Sequence, residues 1–290
     1  MKTVSYFKCP VCGNDLSKDE KSFFCTGERR HLFDISSEGY VNLLPPGRLR
    51  NARAGDDRSM IAARASFLDL GYYKKISEKA GELISEIAEN QKMQEIVLAD
   101  CACGEGYHTC NIISALVENN GADVAALAFD ASKYGAAKGA KRARKAGLAE
   151  CLQFAAANIF TLPVKDGAID FATSIFAPVA WDEMQRILKD DGRLIVASSG
   201  ERHLFELRVA LYDAPRTASG VVNHPDSFVL EDESEISYTV SLADNKAVCD
   251  LFCMTPFYYR TSERDREKLG AVSRLDVTVE TKFSVYRKKI

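Results

Sequence analysis

Between residues 96 and 198 the chain alternates short aliphatic runs with stretches of helical spacing, and this alternation constrains its fold more than any other feature. Ile96-Val97-Leu98-Ala99 reads as a buried strand, Tyr107 to Val117 as a helix, Val124 to Phe129 as a second strand, and the Ala- and Lys-rich Tyr134 to Ala146 as a second helix. Leu152 to Ala156 and Ile169 to Ser174 continue as strands, Trp181 to Leu188 as a helix and Leu194 to Ser198 as a fifth strand. Strands separated by helical patterns are crossover units, so the expected class is α/β: a doubly wound, Rossmann-like parallel sheet. Helices at Ile61 to Leu70 and Ile76 to Glu89 precede it; Ile76, Ala80, Leu83, Ile84 and Ile87 repeat at helical spacing. Ligands of such sheets sit at the carboxyl ends of the strands.

The first of these strands runs into Asp100-Cys101-Ala102-Cys103-Gly104-Glu105-Gly106-Tyr107. Gly104 and Gly106 remove side chains where the backbone turns sharply and a ligand must approach it. A nicotinamide fingerprint would place a third glycine three residues on, but Thr109 stands there. Asp130, 24 positions after Gly106 at the end of the second strand, can accept hydrogen bonds from both ribose hydroxyls. The loop from Asp100 to Gly106 together with Asp130 predicts a cofactor containing a nucleoside. Cys101, Cys103 and Cys110 read as small buried apolar groups, with no second metal site. At the end of the fourth strand the Phe176 ring could stack on a base, with a carbonyl near Pro178 orienting it; ordinary strand-end packing accounts for the two equally well. Asp170 reads as a core-edge or helix-capping residue, and no general base stands out.

Ahead of the alternating region, Cys9-Pro10-Val11-Cys12, Cys25 and His31 form a ligand series. Two cysteines two residues apart, bent by Pro10 and Gly13, can point both sulfurs at one ion. Cys25 and His31 can close the tetrahedron from a short hairpin, giving the S₃N set of a structural Zn2+. The competing reading, a redox pair of Cys9 and Cys12, has no use for Cys25 and His31. A module of this size cannot bury enough surface to fold alone, so metal–ligand energy has to hold it. Gly39 to Gly47 reads as a short strand ended by a breaker, and Arg48 to Arg58 as a basic, turn-rich linker. The expected division is therefore 1–47 for the zinc module, 48–75 for a linker and helix, and 76–290 for the main domain.

Composition removes whole classes. A 46% hydrophobic and 27% charged chain is neither disordered nor fibrous, and it has no apolar run long enough to span a bilayer and no signal-peptide core. Nine cysteines, an odd number, suit a reducing compartment, so a cytoplasmic protein without membrane contact is expected. The net charge of −3 is no signature of a nucleic-acid binder as a whole. The first 64 residues nevertheless carry 11 Lys+Arg against 8 Asp+Glu, with Arg29, Arg30, Arg48, Arg50, Arg53 and Arg58 among them. These arginines are either solvated linker charges or a grip on RNA phosphates.

The chain resembles the large-subunit ribosomal RNA (guanine-N1)-methyltransferases nearly from end to end. The likeness rests on Cys9-Pro10-Val11-Cys12, Phe33-Asp34, Glu38 to Pro45, Gly55-Asp56-Asp57, Ala63 to Asp69 and Gly71-Tyr72-Tyr73. It continues through Cys103 to Tyr107, Phe129 to Lys133, Phe176-Ala177-Pro178, Arg202-His203-Leu204 and Met254-Thr255-Pro256-Phe257. The resemblance implies an S-adenosylmethionine-dependent enzyme that methylates N1 of a guanine in ribosomal RNA. It further implies that Tyr73, Gly104, Glu105 and His203 contact S-adenosyl-L-methionine, that Cys9, Cys12, Cys25 and His31 hold zinc, and that a homodimer is one possible assembly. Two departures stand out: five residues separate Cys25 from His31, wider than the family's usual spacing, and Ala102 replaces a glycine, which should narrow the approach to the cofactor's methionine end. Two alternatives are a small-molecule methyltransferase and a non-catalytic RNA-binding protein that keeps the cofactor fold.

Overall fold

A computed structural model describes residues 5–45, 56–119, 121–217 and 222–289. The chain opens with a three-stranded antiparallel ribbon, β1 (Leu16–Lys18), β2 (Ser22–Cys25) and β3 (Leu32–Asp34). The short strand expected after Gly39 is β4 (Val41–Asn42); it leaves the ribbon and adds itself, parallel, to the edge of the main sheet. Next come α1 (Arg58–Leu68) and α2 (Lys74–Asn90). Arg58 therefore belongs to a helix rather than to the linker, because the Asp57 carboxylate caps the free N–H groups of Ser59 and Met60. Arg48, Arg50 and Arg53 lie outside the described residues.

The alternation then runs β5 (Glu95–Cys101), α3 (Tyr107–Asn119), β6 (Asp123–Asp130), α4 (Lys133–Lys145), β7 (Leu152–Ala156), β8 (Ile169–Ile175), α5 (Trp181–Ile187) and β9 (Leu188–Ser199). Beyond it lie α6 (Phe205–Leu211), β10 (Phe228–Leu242), the helices α7 (Asn245–Cys253), α8 (Phe257–Arg260) and α9 (Glu263–Leu269), and β11 (Leu275–Lys288). The eight strands of the main sheet lie in the order β10-β11-β9-β8-β5-β6-β7-β4. From β9 to β4 every neighbouring pair is parallel, as the crossover pattern requires. The departure is β11, which runs against both β9 and β10 and makes the sheet mixed. Val277, Val279, Thr281 and Phe283 are buried with partly exposed residues between them, the period-2 pattern of an antiparallel strand.

The order places β5 between β6 and β8, so the chain leaves β5 in one direction and later returns to its other side. That reversal opens a crevice at the carboxyl end of β5, where a bound nucleotide sits in folds of this kind. One face of the sheet is covered by helices: Ile76 and Ile84 of α2 and Ile113 and Leu116 of α3 share a core with Ile96 and Leu98. The other face is covered in large part by the N-terminal ribbon. Phe7, Leu16 and Phe23 share a core with Val97, Leu127 and Phe129, and the Phe7 ring lies 5.1 Å from Phe23 and 6.0 Å from Phe129. The ribbon is thus one layer of the sheet's packing.

Candidate active site and metal centre

The crevice is floored by the turn after β5. Ala102, Gly104 and Gly106 have φ of 65°, 57° and 77°, alternate left-handed residues in the turn between β5 and α3. Glycine is required at Gly106 for a second reason: a Cβ there would lie 2.7 Å from the Phe154 ring and 2.9 Å from the Gly139 backbone. Gly135, facing the loop from α4, would put a Cβ 2.7 Å from the Gly104 carbonyl oxygen. Helix and loop therefore touch backbone to backbone, which no side chain would permit.

Two buried carboxylates fasten this turn. One Asp100 oxygen accepts from the Thr109 hydroxyl and the other from the Thr173 hydroxyl at 2.8 Å, joining β5 to α3 and β8. Burial pushes the Asp100 carboxyl up to about 6, and both threonine hydrogen bonds oppose that shift. Asp130 accepts the Gly104 N–H at 2.8 Å and the Ser132 N–H at 2.7 Å, one on each oxygen. Each oxygen retains a lone pair, so this carboxylate can still receive two hydroxyls. Glu105 turns its buried side chain to Arg142, 3.2 Å away, and burial raises its carboxyl against the pull of that guanidinium.

Across the crevice three rings from distant parts of the chain meet. Tyr73, the cap of α2, is buried, and its hydroxyl has no hydrogen-bond partner among the described residues. Its ring lies 6.0 Å from Phe176 and 6.1 Å from His203, and the last two are 5.0 Å apart. Phe176 ends β8 with φ 52°, a left-handed conformation unusual for an aromatic residue, and remains 37% exposed. Pro178 is exposed two residues on. His203 Nδ1 accepts the Glu280 N–H at 3.3 Å, which leaves the ring proton on Nε2. Burial holds this imidazole down at about 4, so it is neutral at physiological pH.

At the tip of the ribbon, Cys9, Cys12, Cys25 and His31 come together with all four ligand atoms within 4.8 Å of one another. His31 Nδ1 is 3.5 Å from both Cys9 Sγ and Cys12 Sγ, and Cys12 Sγ is 3.3 Å from Cys25 Sγ. A tetrahedron with ordinary Zn–S and Zn–N bonds has S···N edges of roughly 3.6 Å and S···S edges of roughly 3.8 Å, so the donor set fits Zn2+. Asn14 Nδ2 and the Gly27 N–H point at Cys12 and Cys25 from 3.4 Å, the outer hydrogen bonds that stabilise thiolates. Among the described residues no such grouping forms around Cys101, Cys103 or Cys110, whose thiols burial drives up.

Residues 7–48 match the zinc-ribbon family described as "RlmA, N-terminal", and residues 90–238 match the family described as "Methyltransferase domain". A 23S rRNA (guanine(748)-N(1))-methyltransferase from Streptomyces fradiae is 32% identical over 209 residues, which cover 72% of this chain and 68% of that one. YxjB of Bacillus subtilis (strain 168), named as a candidate 23S rRNA (guanine-N(1)-)-methyltransferase, is 30% identical over 95% of both chains. This chain belongs to the 23S ribosomal RNA (guanine-N1)-methyltransferase family. Its two signature regions are the ribbon with the Cys/His cluster and the S-adenosylmethionine-dependent methyltransferase fold with its glycine turn.

In this family member the sequence-predicted residues fall into three places: the glycine turn with Asp100, Glu105 and Asp130, the ring group with Tyr73, Phe176 and His203, and the metal cluster. The wide Cys25–His31 spacing is no obstacle to bringing His31 to the cluster. Asp170 lies at the opposite end of β8, accepting the Val97 N–H at 2.9 Å and pairing with Lys189, a core-edge position remote from the chemistry. Sequence reasoning missed Arg64. Its Nη1 lies 3.0 Å from where a Cβ on Gly104 would stand, and it pairs with Asp56 at 2.6 Å, so it presses α1 onto the turn. Thr109 and Thr173 were missed as the partners of Asp100: Thr173 is 73 positions away, whereas Thr109, nine positions on, stands out in the sequence only as the residue in place of a third glycine.

Proposed function

We propose that the protein transfers a methyl group from S-adenosylmethionine to N1 of a guanine in large-subunit ribosomal RNA, as the names of its relatives describe for them. The observation that carries this reading is the meeting of the glycine turn, a carboxylate with spare acceptor capacity and an exposed, strained ring at the carboxyl ends of β5, β6 and β8. The cofactor fits there: Asp130 keeps acceptor capacity on both oxygens, and the buried Tyr73 hydroxyl has no hydrogen-bond partner among the described residues. When bound, S-adenosylmethionine supplies an already activated methyl on sulfur.

The chain's own residues then have mainly to orient and exclude water. Gly104 and Glu105 contact the ligand through the backbone of the turn, Gly106 packs the turn against Phe154 and Gly139, and the Glu105 side chain is held aside by Arg142. Asp130 receives the ribose hydroxyls, and Asp100 keeps the strand end in position for it. Tyr73, its phenol kept protonated by burial, and His203, through Nε2–H, are donors toward the methionine end. Guanine N1 is hidden by base pairing, so the target base comes from a loop or is flipped out, with the Phe176 ring as its stacking platform and a carbonyl near Pro178 orienting it. His203 is not the base that takes the N1 proton, since its free nitrogen already carries one.

Cys9, Cys12, Cys25 and His31 hold Zn2+ in this reading, and residues 1–47, 48–75 and 76–290 are the zinc module, the connecting segment and the methyltransferase domain. Among the described residues no helix is long and apolar enough to cross a membrane, and a ribosomal RNA substrate puts the protein in the cytoplasm. A homodimer is tested by light scattering. The deciding experiment supplies labelled S-adenosylmethionine with total ribosomal RNA and, separately, with a metabolite extract. Label in RNA, mapped to guanine N1, is expected. Label only in a metabolite points to a small-molecule enzyme, and RNA binding without transfer to a non-catalytic binder.

A further inference from the structure

Arg208, on α6, carries a charge that makes no ion pair among the described residues, and the nearby Glu206 offsets only part of the cost of its burial. The residue is 8% exposed, and its buried Nη1 has no hydrogen-bond partner among the described residues. Its guanidinium sits 5.2 Å from the centre of the Phe257 ring, a contact that replaces only part of what water offers a cation. The nearby groups that could answer it are engaged elsewhere. Glu206 accepts the Thr278 N–H at 2.8 Å and the Thr278 hydroxyl at 2.9 Å, and the Tyr212 hydroxyl bonds to Thr261 at 2.6 Å. Burial accordingly pulls the Arg208 pKa below its ordinary value. Leaving one half of a buried charge pair unmatched is unfavourable, so a position like this calls for a partner that arrives with a ligand.

Location narrows what that ligand can be. Arg208 lies one helical turn beyond His203, its N–H donating to the Leu204 carbonyl oxygen at 3.3 Å, and Phe257 stands three residues after Met254, whose carbonyl oxygen accepts at 3.5 Å from the Arg64 side chain that presses on the Gly104 turn. Two sequence signatures some fifty residues apart, Arg202-His203-Leu204 and Met254-Thr255-Pro256-Phe257, thereby meet around one guanidinium. The free groups there are donors: the guanidinium itself and His203 Nε2–H. A donor set with a full positive charge selects anionic oxygen.

We propose that Arg208 binds an anionic oxygen group of the reactants, a carboxylate or a phosphate, beside the ring group. The proposal rests on the methyltransferase reading, which brings one source of each kind: the carboxylate of the cofactor's methionine end and a phosphate flanking the target guanine.

The test uses the full chain, with S-adenosylhomocysteine binding followed by calorimetry and RNA methylation by steady-state kinetics. Arg208→Met should lose roughly 10- to 150-fold in one of the two arms, the range for a hydrogen bond to a charged group. Arg208→Lys, which keeps the point charge and gives up the planar fork, should recover most of that loss. A carboxylate ligand weakens S-adenosylhomocysteine while leaving 5′-methylthioadenosine, which has no carboxylate, unchanged. A phosphate ligand leaves both nucleosides unchanged, raises KM for RNA with kcat held, and lowers the salt dependence of RNA binding. Should Arg208→Met not fold, Arg208→Gln is read in the same two arms. The proposal is overturned if both arms stay within twofold of wild type, or if Arg208→Lys loses as much as Arg208→Met, since the guanidinium would then be a packing partner of Phe257. A wild-type protein that binds no S-adenosylhomocysteine and methylates no RNA defeats the methyltransferase reading instead.

Discussion

The glycine turn and the Cys/His cluster are both tight bends that gather polar groups, yet they are held in opposite ways. Around the turn, close packing and buried hydrogen bonds do the holding: Gly106 lies against Phe154 and Gly139, and Asp100 and Asp130 bind across to neighbouring elements. Around the cluster there is a ribbon of three- and four-residue strands, too small to supply its own core. The turn is therefore shaped before any ligand binds, whereas the cluster depends on its ion. The difference matters beyond the ribbon, because Phe7 and Phe23 cover Phe129, one residue before Asp130. The metal should consequently support the cofactor side through the sheet.

The largest effect expected from this contrast follows zinc removal. Metal analysis should find about one zinc per chain, and stripping it or making Cys9→Ser should remove stabilisation on the order of 10 kcal/mol from the ribbon. Calorimetry should then show lower unfolding temperature together with weakened cofactor binding. A zinc-free protein with wild-type unfolding and cofactor affinity would break the comparison. On the other side, Gly106→Ala should cost about 2–5 kcal/mol, from overpacking against Phe154 and a left-handed backbone, and denaturant titration should register it with zinc fully bound. Asp130→Ala removes the ribose acceptor and orphans the Gly104 N–H, so cofactor affinity should fall by about 2–3 kcal/mol. Unchanged affinity in calorimetric titration would remove Asp130 from the site.

Smaller effects sharpen the picture of the turn. Ala102 occupies a left-handed conformation that glycine adopts freely, so Ala102→Gly should raise stability by about 1 kcal/mol in the same denaturant assay. A loss of stability there would mean that the methyl group packs against something the strain has to be weighed against. The smallest expected change is none. With the His203 pKa lowered to about 4 in the fold, its neutral form contributes stability that is present above the ordinary value of 6.5 and lost as pH falls through about 4. NMR titration of this imidazole should be flat between about pH 5.5 and 8; an inflection near its ordinary value would mean that the ring is solvated and the crevice open.

The alternation of aliphatic runs and helical spacing places β5 to β9 close to where they lie, since each element is specified by its own local periodicity. The same local logic located the glycine turn, Asp130 and the four candidate zinc ligands, because spacing within a short segment limits where those atoms can go. Arg58 was misread because a cap depends on one side chain, Asp57, reaching back to two amides. The reversed strand β11 was legible in its period-2 burial and went unread.

Only the tertiary structure decided that the ribbon would form one layer of the sheet rather than an appendage, that β4 would pair with β7, and that the Phe176 ring would lie 6.0 Å from Tyr73 and 5.0 Å from His203. These outcomes join residues more than 100 positions apart through contacts that leave no period or spacing in the sequence. Local patterns determine which elements form and which groups they carry. Which faces those elements bury against one another depends on how the whole chain covers its apolar surface at once, and that choice laid the Arg208 guanidinium over Phe257.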